Sequence, residues 1–211
     1  MNLTLKALGA LLTYPDETLV AAVAELRSVL ENDANIPSQL KPALCSFLDY
    51  LQVSDPWELQ ESYVERFDSG RSTSLHLFEH VHGESKDRGQ AMVDLKEHYQ
   101  AAGLTLVPEE LPDYLPAFLE FCSMLPPAEA GEFLASCSVI LDSLGKRLAE
   151  RQSPYAAVFP VLMSFASADE FAKNTNGFGG ALKPEADLDT EWAEEPAFSH
   201  PRDSERHQGA C

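Results

Sequence analysis

Basic side chains are scarce in this sequence. Fifteen Lys and Arg stand against 34 Asp and Glu, a formal charge of −19 over 211 residues. Nonspecific binding to nucleic acid or anionic lipid needs clustered Lys and Arg, so the balance speaks against both and favours basic partners. Long apolar runs are also missing. The longest uncharged apolar stretches fall well short of the roughly 18 residues of a membrane span. The start, Met1-Asn2-Leu3-Thr4-Leu5-Lys6, lacks the basic region, apolar run and cleavage site of a secretory signal, so a cytoplasmic protein is expected. The four cysteines, Cys45, Cys122, Cys137 and Cys211, form no CxxC and read as free thiols. GxGxxG, GxxxxGK[ST] and GxSxG are absent, which removes the usual anchors of nucleotide-binding and α/β-hydrolase readings. There is no sustained two-residue alternation and no Asn-Gly or Asp-Gly hairpin between β-branched runs, so no strand is expected.

What fills the chain is helical spacing. Leu5, Leu8 and Leu12 mark a first helix; Leu19, Val23, Leu26 and Leu30 a second; Leu40, Leu44, Phe47, Leu48 and Leu51 a third. Asp55-Pro56-Trp57-Glu58 reads as a capped start with Pro at the first helical position, leading into Leu59, Tyr63 and Phe67. Spacing resumes at Met92, Leu95 and Tyr99, with Gly103 as the stop. Leu115, Phe118, Leu119, Cys122 and Leu125 form another face. Leu134, Cys137, Leu141, Leu144 and Leu148 make the longest stripe. A last helix starts at Ser153-Pro154, and Pro160 within it should kink or shorten it. The expectation is a single all-α domain of seven to nine helices over residues 1–168, followed by a flexible acidic tail over 169–211. Residues 185–195 contain Glu185, Asp187, Asp189, Glu191, Glu194 and Glu195 and no base. Such a segment buries too little apolar surface to offset its ordering entropy.

Two polar stretches could carry function. His76, Glu79, His80, His82 and Glu84 crowd residues 72–85. His76-Leu77-Phe78-Glu79-His80 matches the His-x-x-Glu-His pattern, in which a helix would put both His on one face for zinc with Glu79 as general base. The third protein ligand is not marked out, so a zinc-dependent hydrolase is the minor alternative, and no cofactor or metal is expected. Burying so many charged groups without partners costs several kcal/mol, so residues 72–88, including Asp87 and Arg88, read as a functional surface. The second stretch, Glu109, Glu110, Asp113 and Tyr114, reads as an acidic loop that receives a basic peptide. Tyr63, Phe67, Phe118 and Phe121 read as core, with one edge available to line a groove for a partner helix.

The run from Phe67-Asp68-Ser69-Gly70-Arg71 through His76-Leu77-Phe78-Glu79-His80-Val81-His82-Gly83-Glu84-Ser85 to Asp94-Leu95 closely resembles the delta-subunit assembly chaperones of respiratory nitrate reductase, within the TorD/DmsD/NarJ family. Glu110-Leu111-Pro112-Asp113-Tyr114-Leu115-Pro116 resembles the family's inter-helix loop, and Leu12-Thr13-Tyr14-Pro15 its N-terminal Leu-x-Tyr-Pro. Two departures stand out: many relatives carry His where Tyr114 stands, and His76 is not demanded by the family motif. The resemblance implies an all-helical chaperone without catalytic turnover. Such a chaperone binds the N-terminal peptide of the apo catalytic (alpha) subunit and holds it for molybdenum cofactor insertion, then leaves before the finished enzyme attaches to the membrane. Cofactor biosynthesis proteins are further candidate partners, and a different molybdoenzyme is an alternative client. On this reading Tyr63, Phe67, Glu79, His80, His82, Glu84, Arg88, Glu110, Asp113, Tyr114 and Phe118 are expected to bind the partner peptide.

Overall fold

The computed structural model describes residues 1–81, 86–107 and 110–166. Nine α-helices lie among them: α1 Leu3–Leu11, α2 Glu17–Asn32, α3 Lys41–Val53, α4 Pro56–Phe67, α5 Lys86–Ala101, α6 Leu115–Met124, α7 Pro127–Ser136, α8 Ser138–Glu150 and α9 Val158–Phe165. Three 3-10 turns, Arg71–Thr73, Leu77–His80 and Pro154–Ala157, complete the regular structure. No strand occurs among the described residues. A single antiparallel bridge joins His76 to Tyr114. None of the described helices is long and apolar enough to cross a membrane. The expected acidic tail lies outside the described residues.

The helices start and stop where local chemistry dictates. Asn2 Oδ1 accepts the Thr4 and Leu5 N–H groups, both at 3.1 Å, and Asp16 Oδ1 accepts that of Leu19 at 2.8 Å. Asp55 Oδ1 accepts the Trp57 N–H at 2.9 Å, with Pro56 at the first helical position, where its missing N–H is no loss. After α5, Gly103 takes φ +83°. The N–H groups of Gly103 and Leu104 then close back onto the Gln100 and Tyr99 carbonyls, satisfying the helix end.

Two expectations need correction. The longest apolar stripe is not one helix: the chain breaks at Cys137, between α7 and α8. The break is stabilised locally. Ser136 and Ser138 hydroxyls donate to the Phe133 and Ala135 carbonyls at 2.6 and 2.7 Å, and the Cys137 thiol lies 3.4 Å from the Leu134 carbonyl. Carbonyls orphaned at the end of α7 thus find side-chain donors. The last helix does not start at Ser153-Pro154 but is the shorter one that Pro160 allows. Residues 154–157 form a 3-10 turn and α9 begins only at Val158, so Pro160 falls in the first turn, where it deprives no carbonyl of an α-helical donor.

α1 packs chiefly on α6, and also on α2 and α9. α2 pairs with α3, α8 with α9, and the 154–157 turn fits between α3 and α8. Phe47, Tyr63, Phe67 and Tyr155 form one aromatic cluster, with ring centroids 4.8 to 5.9 Å apart. A second joins Tyr99, Phe121 and Phe133. Tilted and edge-on ring contacts of this kind add to the area they bury.

Candidate functional site

The 72–81 segment and the 110–116 loop meet, although they are far apart in sequence. The Leu77 N–H donates to the Asp113 carbonyl at 3.0 Å, and the Leu115 N–H to the Leu75 carbonyl at 2.8 Å. The Asp113 carboxylate, 0% exposed, fastens the junction. It accepts from His76 Nδ1 at 3.1 Å through one oxygen and from the Phe78 N–H at 3.2 Å through the other. His80, also buried, donates from Nε2 to the Ser74 carbonyl at 2.8 Å. Beneath the segment, the Arg147 guanidinium donates to the Ser72 carbonyl at 3.1 Å and Arg151 to the Ser72 hydroxyl at 3.0 Å. The Thr73 hydroxyl donates to the Arg66 carbonyl. Tyr99 supports the other side, its hydroxyl donating to the Pro112 carbonyl at 2.7 Å.

The reading of 72–88 as an open surface is therefore corrected for its first ten residues. Ser72 through Leu75, Leu77, Phe78, His80 and Val81 are buried. The physical reason is that their polar groups find partners. Desolvation is compensated, and the cost that argued for exposure does not arise. His82 and Glu84 lie outside the described residues. Asp113 is corrected likewise: it is an internal acceptor rather than an exposed acid facing a basic peptide. Tyr63, Phe67 and Phe118 are buried in the core, as the helical spacing predicts.

Glu79, Arg88, Glu110 and Tyr114 are half-buried. Around His76 the structure brings Glu79 and Arg88 within electrostatic reach, and His76 in turn acts on Glu110. The hydrogen bond to Asp113 raises the His76 pKa above its ordinary 6.5, the ion pair outweighing partial burial. Burial lowers that of His80 and raises those of Glu110 and Tyr114. The Tyr63 hydroxyl donates to the Leu12 carbonyl at 2.9 Å and lies 3.3 Å from the Tyr114 hydroxyl, so the loop also reaches the end of α1.

The helical face that the zinc alternative requires is not formed. His76 precedes a 3-10 turn with an extended backbone, so it does not share a helical face with His80. One imidazole is held by Asp113 and the other by a backbone carbonyl. No group of three His, Cys, Asp or Glu able to hold a metal occurs among the described residues.

One further feature lies apart from this junction. Tyr14, Trp57, Gln60, Glu61 and Val64 line an open groove of about 270 Å³. Trp57 and Val64 project from another side of α4 than Leu59, Tyr63 and Phe67, out of phase with the core stripe, and Tyr14 comes from the turn before α2. That phase is the sequence clue to the groove.

The family model of the nitrate reductase delta subunit matches residues 17–160. The nitrate reductase molybdenum cofactor assembly chaperone NarJ of Escherichia coli (strain K12) is 44% identical over 189 residues, covering 88% of this chain and 80% of that protein. The probable nitrate reductase molybdenum cofactor assembly chaperone NarW of the same strain is 42% identical over 195 residues, covering 90% and 81%. The probable chaperone NarJ of Bacillus subtilis (strain 168) is 33% identical over 169 residues, covering 77% and 88%.

Proposed function

The chain belongs to the nitrate reductase delta-subunit family, and from that premise we propose that it is a system-specific assembly chaperone of a respiratory nitrate reductase. In the cytoplasm it binds the apo alpha subunit, including the N-terminal peptide, and holds it competent for molybdenum cofactor insertion before membrane attachment. It takes no part in catalysis. The observation that carries this reading is the 44% identity with a curated assembly chaperone over 88% of the chain. The family match over 17–160 also takes in both halves of the Asp113 junction. Two physical features support it. A charge of −19 accelerates encounter with basic segments, and the exposed apolar side chains supply contact area once they meet.

Of the residues expected to meet the partner, Glu79, His82, Glu84, Arg88, Glu110 and Tyr114 remain candidates for direct contact. Asp113 and His80 serve by holding the 75–81 segment in place. A pull-down from nitrate-respiring cells tests the proposal, together with a strain lacking this gene. The expected results are capture of the alpha subunit, and loss of both nitrate reductase activity and molybdenum content in the mutant strain, restored by the wild-type gene. Capture of a different molybdoenzyme would redirect the assignment within the class. Full activity in the mutant strain with no alpha subunit captured would refute it.

A further inference from the structure

We propose that the outer ridge of α4, with the Tyr14–Pro15 turn beside it, is the docking surface for a basic, amphipathic helical segment of the client. This rests on the chaperone reading above and names the surface that reading requires. Along α4, Trp57, Glu61, Val64 and Asp68 follow one another at spacings of four, three and four, which sets them on a single stripe. That stripe points away from Leu59, Tyr63 and Phe67, which are buried. Trp57 is 75% exposed and Val64 43%, and with Tyr14 they line one groove rather than standing singly on the surface. Tyr14, 44% exposed, closes the groove from the other bank, its ring set edge-on to Tyr63 at 5.6 Å. Gln60 ties the banks together by donating to the Pro15 carbonyl at 3.2 Å.

The surroundings select the occupant. Glu61 and the C-cap residue Asp68 lie on the stripe itself, Glu58 and Glu65 flank it on one side, and Asp16 and Glu17 stand on the facing turn, all exposed. The single basic residue of α4, Arg66, turns aside to bond the Ser62 carbonyl and hydroxyl. Apolar side chains set among carboxylates in this way complement a helix with an apolar face flanked by Lys and Arg. The groove is also too small and open for a drug-sized ligand, for which about 300–1,000 Å³ of enclosed space is usual, but it suits side chains projecting from a larger partner.

Trp57 provides the readout. The chain has two tryptophans, Trp57 and Trp192, so Trp192→Phe leaves Trp57 as the sole indole. Titration of that full-length variant with a synthetic peptide of the alpha subunit's N-terminal segment should shift its emission to the blue. Purified apo alpha subunit should bind Trp57→Ala at least tenfold more weakly than wild type, as expected for an aromatic anchor. The Glu61→Lys, Glu65→Lys double variant should bind several-fold more weakly at low salt, with the difference fading as salt screens it. Circular dichroism of both variants should match wild type, since these side chains are exposed. If apo alpha subunit binds Trp57→Ala as tightly as wild type, the ridge is not the docking surface while the chaperone reading stands. If wild type fails to bind it at any salt concentration, the chaperone reading fails and the ridge proposal with it.

Discussion

Asp113 is the side chain on which the junction depends. Its two oxygens satisfy donors from residues 76 and 78, and its side chain is fully buried. Asp113→Ala leaves the Phe78 N–H buried without an acceptor and releases His76, at a cost of roughly 1–3 kcal/mol per orphaned donor. Urea titration should therefore show a lower midpoint at nearly unchanged slope. His76 adds a dependence on pH. Its folded-state pKa lies above the unfolded 6.5, so the ion pair contributes fully below that value and its contribution fades as pH rises through the folded pKa. His80 has the opposite sign. Its folded pKa is depressed, so its contribution is present above 6.5 and is lost as pH falls through the folded pKa. The stability difference between wild type and His76→Gln, measured by urea titration from pH 5.5 to about 8.5, should shrink as pH rises. A difference that grows with pH would contradict the Asp113 pairing.

Among the helices, the close approach of α8 to α9 sets the tightest tolerance. A Cβ added at Gly145 would sit 2.8 Å from Phe159 Cβ, so Ala cannot be accommodated without moving α9. Ala is the better helix former by about 1 kcal/mol, but overpacking costs about 1–3. We expect Gly145→Ala to lower stability by up to about 2 kcal/mol, read as a fall in the melting midpoint of about 2–4 °C per kcal/mol. Helix placement was largely legible in the sequence, because apolar spacing and caps are local properties: Asp16, Asp55 and Gly103 act where their residue types indicate. The α7–α8 break was not. Leu134, Cys137 and Leu141 keep helical spacing across it, and the side chains that stabilise it, Ser136 and Ser138, are compatible with either course.

For the chain as a whole, the described core closes with α9 at Phe165, and the family match ends at residue 160. A chain ending at Ala168 should accordingly unfold within a few degrees of the full-length protein, less than the 2–4 °C that about 1 kcal/mol would shift a domain of this size. A larger fall by calorimetry would mean that the acidic segment beyond contributes to the folded core. Binding of the alpha subunit should also weaken as salt is added, since a net charge of −19 acts on a basic partner through a field that added ions screen.

Fold class followed from the residue pattern alone, because 3.6-residue spacing, capping side chains and the lack of alternation are properties of neighbours in the chain. The resemblance to the chaperone family likewise sat in contiguous runs, at residues 67–95 and 110–116. Which polar residues face a partner was decided elsewhere. Charge and proximity in sequence suggested that His80 and Asp113 lie open, yet long-range pairing of Leu75 and Leu77 with Leu115 and Asp113 buried both. Conversely, Trp57 and Val64 are apolar and invite assignment to the core, but the phase of α4 is set by its packing through Leu59, Tyr63 and Phe67, which turns them outward. Local sequence determines whether a segment is helical. The side chains left to meet another molecule depend on which face packing consumes first, and that is settled only when distant segments come together.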